Sequence, residues 1–205
     1  GGDVKGLSQT EGGKRDVFEG RERIRKIHRW FDELVDLEKP VIAAVDGVCF
    51  GAGLSLVLAA DFVLATPHAK FCSVFARLGY VPDMGAMYLL PRAVGLARAK
   101  EMVFSARVVH AQVALAMGLV QQLVEGDLRA AALALAERFH TAPTGALGLM
   151  KSVMNRTFES DRRTVYAQEA LAQSLCRESE FHEEAARRFA AKEAPLYQWP
   201  ETPRK

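Results

Sequence analysis

One carboxylate, Asp83, stands in a segment otherwise made of apolar groups, glycines and Arg92, GYVPDMGAMYLLPRAVG over residues 79–95. An acid in that setting has two uses. It can cap a helix starting near Met84, because Asp after Pro is a common helix start. Or it can take and return a proton, with its pKa lifted by burial among Tyr80, Val81, Met84 and Met87. Upstream, Gly51-Ala52-Gly53 opens a uniformly apolar run. A helix beginning there presents free backbone N–H groups and the positive end of its dipole to any oxygen that becomes negative. The plain alternative is a glycine turn that only packs. The opening GGDVKG is a second glycine loop whose N–H groups could approach the same point. Ser55 has no GxSxG around it and no histidine placed to serve it, so it reads as a packed hydroxyl and not as a nucleophile.

The elements around these residues follow from periodicity and punctuation. Residues 8–20, SQTEGGKRDVFEG, mix glycine with charge and read as a mobile surface loop. In RERIRKIHRWFDELVDLE, Ile24, Ile27, Phe31, Leu34 and Leu37 recur at spacings of three and four, which predicts an amphipathic helix ending before Lys39-Pro40. VIAAVDG predicts a buried strand closed at Asp46-Gly47, and the apolar run behind Gly51 predicts a helix buried on all sides. FVLAT and KFCSVF predict further strands, and MGAMYLLPRAV a helix broken or kinked at Pro91. Helices are then expected over 97–104, 111–117, 127–139, 144–158 and one long charged stretch from about 162 to 191. Early alternation of strands and helices, with helices taking over late, argues an α/β core followed by a helical region.

Composition sets the outer bounds. The 205 residues suffice for one domain with a full core. The 27 basic and 25 acidic residues are interspersed, so no nucleic-acid surface is expected. Three cysteines at wide spacings, Cys49, Cys72 and Cys176, without a CxxC pair or a nearby histidine, argue against a metal site and for a reducing, cytoplasmic compartment. The longest apolar run, GLSLVLAA, stops at Asp61, short of the roughly 20 residues a bilayer span needs. The five histidines are scattered, and surface or capping roles are the default for each. Arg77 and Arg92 read as partners in structural ion pairs.

GGDVKG, then KPVIAAVDGVCFGAGLSLVLAADFVLAT, then FCSVFARLGYVPDMGAMYLLPRAVGLARAKEMVFSARVVHAQVALAMGLVQQLV, occur in that order. Together they resemble the enoyl-CoA hydratase/isomerase, or crotonase, family. The likeness runs from residue 1 to about 125 and continues more weakly to FAAKEAPLY. It implies an α/β fold, the ClpP/crotonase-like spiral of ββα units, with a core over 1–125 and a helical region over 126–205 that packs on the core and on neighbouring subunits. Homotrimers or dimers of trimers follow from it. Acyl-CoA thioesters are the implied substrates, with coenzyme A entering as part of the substrate and no separate cofactor or metal. An enolate-like oxyanion would be held by the backbone N–H groups of Gly2 and Ala52. Gly2, Asp3, Val4, Lys5, Ala52 and Lys192 match positions that meet the substrate and its CoA phosphates, though each lysine also reads as an ordinary solvated one. The family's usual form has strands before the GGD loop, so a preceding segment is expected.

The same resemblance separates the activities. Hydratases of the family hold water with two glutamates, and those positions are Ser55 and Phe75 here. Neither can act as a base near neutral pH. Several isomerases of the family instead have an acid in the PD-x-G context, where Asp83 stands. With Ser55, Phe75, Tyr80, Met84 and Met87 lining an apolar pocket, the expected activity is enoyl-CoA isomerisation. Hydration, or acyl-CoA binding without chemistry, are the alternatives.

Overall fold

The structure is a computed structural model that describes residues 17–200. Two compact units divide the chain: one holds the chain up to Val35 together with Val41–Ala132, the other Asp36–Pro40 and the chain from Leu133 onward.

The first unit begins with α1, Val17–Val35. It starts earlier than the glycine-rich composition suggests, taking in Phe18, Glu19 and Gly20. The part of the expected loop before Val17 lies outside the described residues. Along α1 the residues withdrawn from solvent are Ile24, Ile27, His28, Phe31, Leu34 and Val35, a single stripe at helical spacing. His28 therefore shares the apolar face.

Behind α1 the chain winds through short parallel strands. β1 (Ile42–Val45) is followed at once by β2 (Val48–Phe50), then by α2 (Ala52–Leu58), β3 (Phe62–Ala65) and β4 (Lys70–Cys72). β1 pairs parallel with β3 in register Ile42↔Phe62, and β3 pairs parallel with β6 (Gln122–Leu123). β2 pairs parallel with β4, and β4 antiparallel with β5 (Val109–His110). The result is two three-stranded sheets, β1-β3-β6 and β2-β4-β5, between which the chain alternates from β1 to β4. Asp61 clamps the start of β1: its Oδ2 accepts the Val41 N–H at 2.7 Å while Val41 O accepts the Asp61 N–H at 2.9 Å. Ala65, Ala69, Phe71, Leu54, Met102, Val109, Ala111 and Ala114 belong to the main core. Burying a side chain as large as Phe71 or Leu54 contributes about 1.5–3 kcal/mol each.

Several expectations need correction. The stretch read as one strand, KFCSVF, is a strand only to Cys72, and a 3-10 segment follows over Val74–Leu78. β2, β5 and β6 have two or three residues each, too few to show an alternation in sequence. α2 is not buried all round, because Leu56 faces solvent. α3 (Ala86–Val94) contains Pro91, as expected, and Gly95 then leads into α4 (Leu96–Ser105); α5 spans Ala111–Ala116.

α6 (Leu128–Glu137) runs from the first unit into the second, which also contains α7 (Thr144–Met154), α8 (Arg162–Arg177) and α9 (Glu180–Ala191). The single helix expected over 162–191 is broken at Ser179. That residue adopts an extended conformation, and its hydroxyl accepts the His182 N–H as the N-cap of α9. Gly148 of α7 lies against the 36–40 segment so closely that a Cβ there would sit 2.8 Å from Glu38 O.

Candidate active site

The strand-to-helix turn at Gly51 sets up the first part of the site. Gly51 takes φ 55° and ψ −124°, a backbone region suited to glycine, and its N–H is held by Cys72 O at 3.0 Å across the sheet. α2 starts immediately afterwards, so Ala52 is the first residue of the helix. Its N–H is one of those left without an intrahelical acceptor. Phe75 and Val74 cover the turn: a Cβ on Gly51 would lie 3.3 Å from Val74 Cγ1 and 4.0 Å from the Phe75 ring. Gly2, Asp3, Val4 and Lys5 lie outside the described residues.

Asp83 sits on a tight turn. Ala86 N donates to Asp83 O at 3.1 Å, and the two residues between, Met84 (φ 49°) and Gly85 (φ 70°), are both left-handed. Positive φ at both central positions is the hallmark of a type I′ turn. For methionine this conformation is strained, and such strain persists only where the surroundings impose it. They do so here from two sides. The Ser55 hydroxyl, on the buried face of α2, donates to Asp83 O at 3.0 Å. From α1, Phe31 packs on Met84 and so near Gly85 that a Cβ on that glycine would meet Phe31 Cε1 at 2.9 Å.

The Asp83 backbone is therefore held twice through its carbonyl, while Oδ1 of its side chain is buried with no hydrogen-bond partner. Asp83 is thus not a helix cap: α3 begins at Ala86, its N-cap is Gly85, and no side chain caps it. Burial pushes the Asp83 pKa above its ordinary value, an effect partly offset by the charge of His28. The cover differs from the one expected from its neighbours in sequence. Tyr80, Val81 and Met87 are 54%, 74% and 57% exposed, whereas Met84 is buried against Phe31 and Ala59. Ala52 packs against the same cluster, which brings α1, the start of α2 and the Asp83 turn to one place.

Of the pocket residues expected, Phe75 and Met84 border this place, Ser55 lies beneath it as a packed hydroxyl, and Tyr80 and Met87 face solvent in this chain. Lys192 is an exposed residue of the second unit, in the left-handed conformation that ends α9. Arg77 pairs with no acid among the described residues and instead donates to Ala106 O at 2.6 Å, while Arg92 donates to Tyr88 O and lies over the Tyr88 ring. His28 is the residue that reading by type alone misses. Its Nε2 is buried without a partner, and it acts electrostatically on Asp83. The signal for it was present in the sequence, since it falls in the Ile24–Phe31 helical stripe. Burial raises the Cys49 thiol to about 11, which keeps it protonated and unsuited to nucleophilic work. No group of three or more potential metal ligands occurs among the described residues. No helix of the described residues is long and apolar enough to cross a membrane.

A family model described as enoyl-CoA hydratase/isomerase matches residues 1–200. The 1,2-epoxyphenylacetyl-CoA isomerase of Escherichia coli (strain K12) is 36% identical over 176 residues, covering 83% of this chain and 67% of that protein. The mitochondrial methylglutaconyl-CoA hydratase of Rattus norvegicus is 35% identical over 179 residues, covering 85% of this chain and 57% of that protein. The crystal structure of an enoyl-CoA hydratase/isomerase from Cupriavidus metallidurans CH34 superposes with a TM-score of 0.87 at 39% identity, covering 94% of this chain and 72% of that one. The chain thus spans 57% to 67% of the length of these two curated relatives. The winding ββα architecture with a helical C-terminal region is the crotonase fold. On the match over residues 1–200, the chain belongs to the enoyl-CoA hydratase/isomerase family.

Proposed function

We propose that this chain carries the active site of an enoyl-CoA isomerase, which shifts a carbon–carbon double bond along an acyl-CoA by proton transfer through Asp83. In the conversion of a 3-enoyl to a 2-enoyl thioester, the Asp83 carboxylate takes a proton from the carbon next to the thioester. The electron pair released is delocalised onto the thioester oxygen, and the double bond re-forms between C2 and C3 as Asp83 returns the proton to C4. One group that is base and then acid, plus donors for the oxyanion, is all this requires. The N–H groups of Ala52 and Gly2 are the proposed donors. Asp3, Val4, Lys5 and Lys192 are the proposed contacts to the CoA portion, with coenzyme A as part of the substrate and no other cofactor.

The carrying observation is the Asp83 turn. A strained backbone fixed by Ser55 and Ala86 presents one unpartnered carboxylate oxygen in an apolar surround, beside the start of α2. A group held in this way is pre-organised to receive a proton. The positions where water-activating glutamates would stand are Ser55, whose hydroxyl is committed to carbonyls, and Phe75, which helps keep the turn dry. That one relative is named an isomerase acting on an acyl-CoA supports the same reading. Hydration is the second reading, favoured by the relative named a hydratase.

Two substrates separate them. 3-Hexenoyl-CoA should gain conjugated-thioester absorbance when mixed with the protein, and crotonyl-CoA should keep its own. Rapid loss of the crotonyl-CoA absorbance would assign hydration instead. Binding of both thioesters by calorimetry without turnover of either would leave a non-catalytic acyl-CoA-binding role.

The proposed assembly is a homotrimer or a dimer of trimers. α8 and α9 have no buried residue in this chain, yet they expose Tyr166, Leu171, Leu175 and Phe189. Apolar side chains on two solvent-facing helices fit a subunit contact. Light scattering should give a mass of three or six chains, and a monomer at micromolar concentration would remove the proposal.

A further inference from the structure

We infer that His28 is the positioning partner of Asp83, its imidazole reaching from α1 to set the aim and charge state of the carboxylate. The inference rests on the reading of Asp83 as the proton carrier.

Three observations meet at this pair. First, His28 belongs to the half-buried stripe of α1, one turn before the buried Phe31, and Phe31 is the ring packed on Met84 and against Gly85. The same helical face thus brings a ring to the Asp83 turn and an imidazole beside that ring. Second, His28 Nε2 and Asp83 Oδ1 are both buried side-chain atoms without a hydrogen-bond partner in the protein. They are not bonded to each other in this structure, yet they are complementary, since one can donate and the other accept. Third, the charge of His28 is felt at Asp83, where it opposes the effect of burial.

The other charged groups nearby are committed elsewhere or turned away. On α1, Arg25 pairs with Glu22, while Arg29 and Asp32 are exposed. α2 presents Ser55, which is uncharged and bonded to Asp83 O. From the 3-10 segment, Arg77 reaches Ala106 O, and on α3 Arg92 lies over Tyr88. His28 is the one residue among the described ones whose charge is assigned to the Asp83 carboxylate.

The pairing answers a chemical problem. A carboxyl group in an apolar pocket keeps its proton and serves poorly as a base. The charge of a protonated imidazole there favours the ionised form, and a bond from Nε2 to Oδ1, once formed, would fix the carboxylate and leave its other oxygen for the substrate. His28 need not touch the acyl chain for this. It acts through Asp83, in the way that a second group orients and tunes a catalytic acid or base.

The test follows the Asp83 side-chain carboxyl by carbon-13 NMR in the full chain, with its signal identified by loss in Asp83→Asn. In His28→Gln that signal should titrate at a pH higher by about half a unit or more. The acidic limb of kcat/KM for 3-hexenoyl-CoA should move in the same direction, with kcat reduced and KM little changed. His28→Asn supplies the same readout if the longer amide disturbs α1. An Asp83 titration unmoved in both variants overturns the inference, whatever the turnover. Full turnover by Asp83→Asn would instead overturn the proton-carrier reading, and the carboxyl titration would still decide whether His28 and Asp83 are coupled.

Discussion

Asp83→Asn is expected to lower kcat for 3-hexenoyl-CoA by about 10²- to 10⁴-fold, the range over which a positioned acid–base group contributes. Affinity for a saturated thioester such as hexanoyl-CoA should be nearly unchanged, because the amide keeps the shape of the carboxyl group and Asp83 O retains its bonds from Ser55 and Ala86. The same variant has a stability signature. The native pKa of Asp83 lies above its ordinary 3.8, with burial as the main cause. Between the unfolded and native values the folded state binds more protons than the unfolded one, so stability falls as pH rises through that window. Above the native pKa the ionised carboxylate is a standing cost. The Tm difference between Asp83→Asn and the parent chain should therefore shift in favour of the variant as pH rises from about 4 towards neutral. A difference that stays flat with pH would show that the carboxyl is solvated after all.

Gly51→Ala is expected to lower kcat by about 10²- to 10³-fold, the effect of losing one oxyanion donor. The added Cβ would sit 3.3 Å from Val74 Cγ1, on a backbone at φ 55° and ψ −124° that non-glycine residues avoid. Relief requires the turn to rotate, and the group displaced first is the N–H of Ala52, the next residue. A stability loss of about 1–3 kcal/mol should accompany the change, as for other residues forced into such regions. The two effects separate under substrate saturation at a temperature well below the unfolding transition. If kcat is preserved there while Tm falls, the turn matters for folding only and Ala52 does not hold the oxyanion.

These two variants probe residues that stood out in sequence for different reasons. Gly51 was legible because two glycines flanking one alanine, before an apolar run, have few uses other than a tight strand-to-helix turn. Asp83 was legible as an anomaly of composition, an acid where its neighbours are apolar. Its two possible uses could not be separated by spacing, since a helix cap and a buried base look alike in a PD dipeptide. The structure separates them: the helix starts three residues later, and the side chain caps nothing. Phe75 illustrates another limit. Residues 70–75 have the composition of a strand, but pairing with β2 ends at Cys72, and the chain turns into a 3-10 segment that lays Phe75 over Gly51. Tyr80 and Met87 show the converse, being apolar enough to suggest a pocket yet exposed in the isolated chain.

The sequence by itself determined the order of the major elements, the amphipathic face of α1, the glycine turn before α2 and the single acid of the 79–95 segment. Each of these is local: helical spacing, a glycine's conformational range and the restriction imposed by proline act within a few residues. Only the tertiary structure decided what meets that acid. Ser55 reaches its carbonyl from α2, Phe31 packs on the strained turn from α1, and the charge of His28, on the same face of α1, bears on a carboxyl that neighbours in sequence leave uncovered. Such contacts are fixed by how the winding strands stack the helices on one another, and no periodicity in the chain encodes the distance between two helices that fold together.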